Sequence, residues 1–259
     1  MTGRVLASFN LKGGVGKTAT AVNLAYAASA SGRRVLLWDL DPQAAATYYF
    51  RVKPRIKGGG KELLRKPRAL GDFVKETDYP GLDLMPADFS YRNLDLYLAR
   101  KKKWNGRLAQ LVAPLRDDYD FVFLDCPPGA SLVSENVFAS ADALVLPLIP
   151  THLSLRVYER LQKYFAKHPE YRTLMLPFFA MVDRRRKLHR DIVDSFAVQQ
   201  PDSLHTFVAY ASQVEQMGQY RAPVQIFAGK SDAAESYNRL WEEIVDRLHA
   251  HRQREASRN

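Results

Sequence analysis

A chain of 259 residues with a single cysteine and a formal net charge of +10 is long enough for one large α/β domain. The lone thiol excludes an internal disulfide and a metal cluster built from several thiolates. No run approaches the roughly 18 apolar residues of a membrane span, and the N-terminus runs into an apolar stretch without a signal-peptide pattern, so a cytoplasmic protein with no membrane partner is expected.

Residues 5–9 form an apolar run that predicts a buried strand, and residues 18–30 predict a helix. Between them stands Lys12-Gly13-Gly14-Val15-Gly16-Lys17-Thr18. A Gly-rich turn between strand and helix is a phosphate-binding loop. Backbone N–H groups from Gly13, Gly14, Val15 and Gly16 through Lys17, Thr18 and Ala19 at the helix N-terminus surround a polyphosphate. Lys17 then reaches the terminal phosphates and Thr18 holds magnesium. Such loops ordinarily begin with Gly five residues before the lysine. Here that place is Lys12, a cation with no structural purpose unless it meets an anion.

A second strand, residues 35–38, leads into Asp39-Leu40-Asp41-Pro42-Gln43. Asp41 can order a magnesium-bound or attacking water near the last phosphate, while Asp39, closer to the strand, is read as structural or as a support for the site. A helix N-cap before Pro42 is the alternative for Asp41. The next stretch carries Arg51, Lys53, Arg55, Lys57, Lys61, Arg65, Lys66 and Arg68 around Gly58-Gly59-Gly60. It reads as a mobile basic loop, inserted at about 51–69.

Strands follow at 82–85 and 121–124, with helices at 91–99 and 106–115 between them and a second basic cluster at Arg100-Lys101-Lys102-Lys103-Trp104 with Arg107. Asp125 ends the later strand and is followed by Cys126-Pro127-Pro128-Gly129. An apolar strand ending in an acid is the pattern of a second magnesium-side carboxylate, binding through water, and the Pro-Pro-Gly turn carries the chain past the phosphates. Cys126 is read as a small buried residue.

Helices at 132–139, 153–166 and 188–199 alternate with strands at 143–148 and 174–182. A third basic cluster, Arg184-Arg185-Arg186-Lys187 with His189 and Arg190, precedes the last of these helices. Residues 232–251 place Leu240, Trp241, Ile244, Val245 and Leu248 on one helical face, closing the domain before a polar tail at about 250–259. The alternation predicts a single α/β domain over 1–259: a doubly wound, mostly parallel sheet with helices on both faces. Three basic clusters on a nucleotide-binding chain favour nucleic acid. None of the six histidines has metal-ligand spacing.

The loop from Lys12 to Thr18, the two acidic motifs, Pro147-Leu148-Ile149-Pro150-Thr151, Met181-Val182-Asp183-Arg184-Arg185 and residues 231–244 together resemble the ParA/MinD family of P-loop ATPases with a deviant phosphate loop. The later segments resemble its ParA branch. The resemblance implies ATP with Mg2+, and weak ATP hydrolysis stimulated by a ParB-like or cargo-adaptor protein. It implies an ATP-sandwiched homodimer in which Lys12 crosses to the partner's nucleotide, with Lys17 and Asp41 also catalytic and Thr18, Asp41 and Asp125 on the magnesium side. Asp183 would sit near the adenine and Pro223 near the base pocket. Arg184, Arg185, Arg186, Lys187 and Arg190 would bind nonspecific DNA, giving a nucleoid-associated protein that positions a plasmid, a chromosome or a large protein assembly.

Regulation of a protein machine with little DNA binding, or MinD-like membrane cycling, are the alternatives. The tail from His249 to Asn259 offers no apolar face to a membrane. The sequence departs from the ParA pattern in two places. No helix-turn-helix extension precedes the first strand, so operator binding is not expected, and the basic segment 51–68 replaces a short apolar connection.

Overall fold

The computed structural model describes residues 2–65, 67–100 and 104–257. Lys66 and residues 101–103 of the basic clusters, the side chain of Arg68 and the last two residues of the tail lie outside that description.

Seven strands form one sheet: β1 (Arg4–Ser8), β2 (Val35–Asp39), β3 (Lys75–Glu76), β4 (Leu82–Met85), β5 (Phe121–Asp125), β6 (Ala143–Leu148) and β7 (Leu174–Phe179). Their order across the sheet is β3-β4-β2-β5-β1-β6-β7, parallel throughout except for the short edge strand β3. The central strands are buried on both faces, which is why β2 and β6 read as unbroken apolar runs rather than alternating ones.

One face is covered by α1 (Lys17–Ala30), α2 (Ala45–Tyr49) and, from the end of the chain, α10 (Ser212–Tyr220), α11 (Val224–Phe227) and α12 (Asp232–Ala256). The other face carries α3 (Gly59–Arg65), α4 (Leu94–Ala99), α5 (Arg107–Val112), α6 (Leu115–Asp118), α7 (Leu132–Ser140), α8 (His152–Lys167) and α9 (Lys187–Gln199). Inward residues alternate along each strand: Val5 and Ala7 join the α3–α9 side and Leu6 the α1 side. The expected doubly wound, mostly parallel sheet is what forms.

Four local expectations need correction. The mobile basic loop is instead a folded lobe, because Ile56, Leu63 and Leu64 are apolar enough to bury against the core and fix α3 there. The glycines serve this packing: Gly58 and Gly59 take φ of 81° and 63°, and a Cβ on Gly60 would meet Leu94 Cδ2 at 2.9 Å. The helix at 106–115 breaks into α5 and α6, since Pro114 cannot continue a hydrogen-bonded helix. The strand at 174–182 stops at Phe179, and Met181 adopts a left-handed φ of 57° that ends the pleat. The polar tail begins inside α12, which continues as helix to Ala256.

Candidate functional site

Three strand ends meet at the C-terminal edge of the sheet. Ser8 of β1 and Asp39 of β2 each lie in register with Asp125 of β5. In open α/β sheets ligands bind outside the carboxyl ends of the strands, where the connections diverge. Here β1 feeds the phosphate loop and the other two strands deliver the carboxylates.

The loop is pinned by its own polar groups. The Asn10 side-chain carbonyl accepts from the Lys12 N–H at 2.9 Å, and the Asn10 amide donates to the Pro147 carbonyl at 2.8 Å. Ser8 Oγ donates to the Lys17 carbonyl at 2.8 Å, and Lys17 Nζ donates to the Lys12 carbonyl at 3.2 Å. Gly14 and Gly16 have φ of 71° and 92°, backbone that a side chain would strain, and the fully buried Val15 anchors the turn. Gly13 lies beside Pro128 and Gly16 beside Met181, so the turns after β5 and β7 wall the loop. α1 starts at Lys17, directing its N-terminal N–H groups at the loop interior.

Lys17 is buried, and that burial lowers its pKa, while Asp125, Cys126 and Asp41 favour its charge. Lys12 is the opposite case. Its backbone is held at both N–H and carbonyl, yet its side chain projects into solvent and has no ion pair among the described residues.

Asp125 is fully buried, and neither of its carboxylate oxygens completes a hydrogen bond. Burial raises its pKa well above the ordinary carboxylate value, and the charge of Asp39 adds to that rise; the nearby Thr18 hydroxyl and Lys17 ammonium oppose it. A buried carboxylate without a donor is unfavourable by itself. Two free anionic oxygens close to a helix-start threonine and a lysine fit a hard divalent cation, so Asp125 and Thr18 are a coherent donor set for magnesium.

Asp39 is also buried, but its oxygens are committed. Thr47 donates to Asp39 Oδ2 from both N–H (2.8 Å) and Oγ1 (2.7 Å), and the Asp41 N–H donates to Oδ1 at 3.2 Å. Burial still raises it to about 6. Asp41 is half-buried, and its Oδ1 accepts from the Gln43 N–H at 2.9 Å, a local turn. It does not cap α2, which begins at Ala45 after Ala44 in a left-handed conformation. Cys126 is buried, and its thiol is pushed up by burial and by Asp125.

Asp183 leaves β7 on the same edge, but Arg185 holds its carboxylate at 2.9 and 3.0 Å and draws it down to about 2. Pro223 is buried at the start of α11, where the Val224 N–H donates to Asn23 Oδ1 of α1 at 2.8 Å. In the third basic cluster Arg184 stacks on Phe207 and Arg190 donates to the Arg184 carbonyl, whereas Arg186 and Lys187 project freely at the start of α9. The sequence reading passed over Asn10, Thr47 and Asn23. A polar residue inside an otherwise apolar run was the one signal available for Asn10 and Asn23.

Among the described residues no helix is long and apolar enough to cross a membrane. Residues 3–173 match the AAA_31 family, described as an AAA domain. The chain is similar to the chromosome partitioning protein ParA of Caulobacter vibrioides (strain NA1000 / CB15N), 29% identical over 255 residues and covering 94% of each chain. Among solved structures its fold is similar to Cyanothece McdA in complex with ATP (TM-score 0.81, 19% identity, 94% of this chain and 97% of that one). It is also similar to cobyrinic acid a,c-diamide synthase from Mycobacterium smegmatis with bound ADP and magnesium (TM-score 0.79, 24% identity, 94% of each chain). With a phosphate loop, a magnesium-fitting aspartate and a family match over more than half its length, the chain belongs to the AAA-domain family, in its ParA/MinD group of P-loop ATPases.

Proposed function

We propose that this protein is a ParA-like ATPase that forms an ATP-sandwiched dimer, binds nonspecific DNA in that state and positions a cargo with a partner that stimulates hydrolysis. The observation that carries the reading is Asp125, whose two unpartnered, buried oxygens lie beside Thr18 and Lys17 at the mouth of the phosphate loop.

The loop N–H groups and Lys17 bind the phosphates of ATP, and Thr18 and Asp125 hold magnesium, which neutralises phosphate charge when bound. Asp41 orients the attacking water. Its half-buried carboxylate keeps one oxygen outside the turn to Gln43 for that task. Lys12, with fixed backbone and free ammonium, reaches the nucleotide of a second copy and stabilises charge on the transferred phosphoryl group, as an arginine finger does in trans. Pro223 and Asp183 border the base. Asp183 must first loosen its pair with Arg185 to contact it.

In the dimer Arg184, Arg185, Arg186, Lys187 and Arg190 from two copies contact DNA phosphates. Affinity therefore falls steeply with salt and changes little with base sequence. Fluorescence anisotropy with a labelled duplex at moderate salt, with ATP, with ADP and without nucleotide, tests the reading. Binding in the ATP state alone is expected; equal binding in all three states overturns it.

A further inference from the structure

Packing joins two basic segments that lie far apart in the chain. The Ile56 N–H donates to Asp88 Oδ2 at 2.9 Å and the Gly60 N–H to Ser90 Oγ at 2.7 Å, so the start of α3 sits on the turn that precedes α4. Arg107 donates to the Leu64 carbonyl and holds the far end of α3. This sets α3, with the exposed Lys57 just before it and the exposed Lys61 within it, against the turn that carries the exposed Arg92, and Arg100 is exposed at the end of α4. The acids nearby have partners of their own, and Asp95 of α4 accepts from the Val133 N–H at 2.9 Å. Asp88 accepts from Ile56, from the Ser90 N–H and from the Ser90 hydroxyl, and Glu62 pairs with Arg65.

The same surface exposes apolar side chains. Phe89 is 62% and Leu96 61% exposed, large values for such residues. In α4, Leu94 and Leu98 point inward, which puts Leu96 on the solvent face; Arg92, in the 3-10 turn Phe89–Asn93 before α4, and Arg100, at its C-terminal end, are exposed as well. Cations and apolar groups therefore alternate along one stripe, flanked by the lysines of α3.

We infer that the stripe formed by Phe89, Arg92, Leu96 and Arg100 with Lys57 and Lys61 is a docking surface for an acidic protein segment that carries apolar anchor residues. Charge complementarity selects an acidic partner, and the two exposed apolar side chains offer contacts to its anchor residues. Nucleic acid fits less well. The Arg92 guanidinium lies 4.1 Å from the Phe89 ring centre and occupies a face that a base would stack on, and Leu96 offers no stacking. A membrane would need a continuous apolar face, and two separated side chains do not make one. The surface lies at the β4 end of the sheet and Arg186 and Lys187 at the β7 end, and its test uses nucleotide-free protein.

The probe is a fluorescein-labelled 20-residue helical peptide with leucines at i, i+4 and i+7 and glutamates elsewhere, titrated against the nucleotide-free protein. Binding is expected, with at least a tenfold loss in Lys57→Glu/Lys61→Glu, in Phe89→Ser/Leu96→Ser, and when alanines replace the peptide's leucines. These side chains are solvent-exposed, and an unchanged unfolding midpoint verifies that each variant folds. No binding of the peptide overturns the inference. Equal binding of the alanine peptide does so too, as does a charge reversal that weakens duplex DNA or phosphatidylglycerol vesicles but not the peptide.

Discussion

Asp125 is costly to the protein without its cation. Its raised pKa, together with that of Asp39 at about 6, means the folded metal-free chain favours protonated carboxyls that an unfolded chain ionises near 3.8. The contribution of Asp39 to stability is fully present below pH 3.8 and is lost as pH rises through about 6, and the buried Asp125 acts in the same direction. Asp125→Asn removes one of the two buried carboxyls and with it the cost of ionising that carboxyl in the folded chain. We expect the variant, without metal, to be more stable than wild type at pH 7 and to show a flatter stability profile across that window. Added Mg-ATP should raise the unfolding midpoint of wild type and leave that of Asp125→Asn nearly unmoved. Differential scanning fluorimetry across pH, with and without Mg-ATP, checks both; a variant less stable than wild type without metal contradicts the reading. Asp125 was legible in the sequence because it ends an apolar strand just before a Pro-Pro-Gly turn, but its two oxygens without a hydrogen-bond partner were not.

At the scale of elements, α2 is tied down by one hydroxyl. Thr47 Oγ1 donates to Asp39 and accepts from the Ala87 N–H at 2.9 Å, linking α2 to the end of β2 and to the exit of β4. Thr47→Val keeps the shape and removes both bonds, leaving the buried Ala87 N–H unpaired. A loss of about 2 kcal/mol is expected, a fall of several degrees in Tm for a chain of this size, readable by thermal circular dichroism. Element identity was largely legible: α1, β4, β6, α7, α8 and α9 fall within a residue or two of their predicted bounds, because a parallel sheet buried on both faces leaves strong apolar runs. The segment from Arg51 to Arg65 was misread. Eight basic residues and three glycines in the stretch to Arg68 outweigh Ile56, Leu63 and Leu64 in any local window, and a core that covers just those three side chains is invisible there.

Across the whole molecule the strand order puts the two basic surfaces at opposite ends of one edge. The β4 end carries Lys57, Lys61 and Arg92, the β7 end Arg186 and Lys187, and five interstrand spacings, about 24 Å, separate β4 from β7. Groups that far apart with no shared partner act independently. Arg186→Glu/Lys187→Glu should therefore weaken ATP-dependent DNA binding at least tenfold and leave acidic-peptide binding unchanged, while Lys57→Glu/Lys61→Glu does the reverse. Anisotropy on the two single-site pairs and their combination measures this, and a combined effect far from additive on either ligand would show that the two surfaces act as one.

The sequence by itself determined the phosphate loop, its lysines, the two strand-end acids and the doubly wound class, because each depends on local spacing and on runs of apolar residues. Tertiary structure alone decided that Ser8, Asp39 and Asp125 align in register, that Asp125 is left without a donor while Thr47 satisfies Asp39, and that α3 meets the turn before α4. Those facts depend on strand order and on which buried surfaces face each other, pairings between residues far apart in the chain that no local pattern encodes.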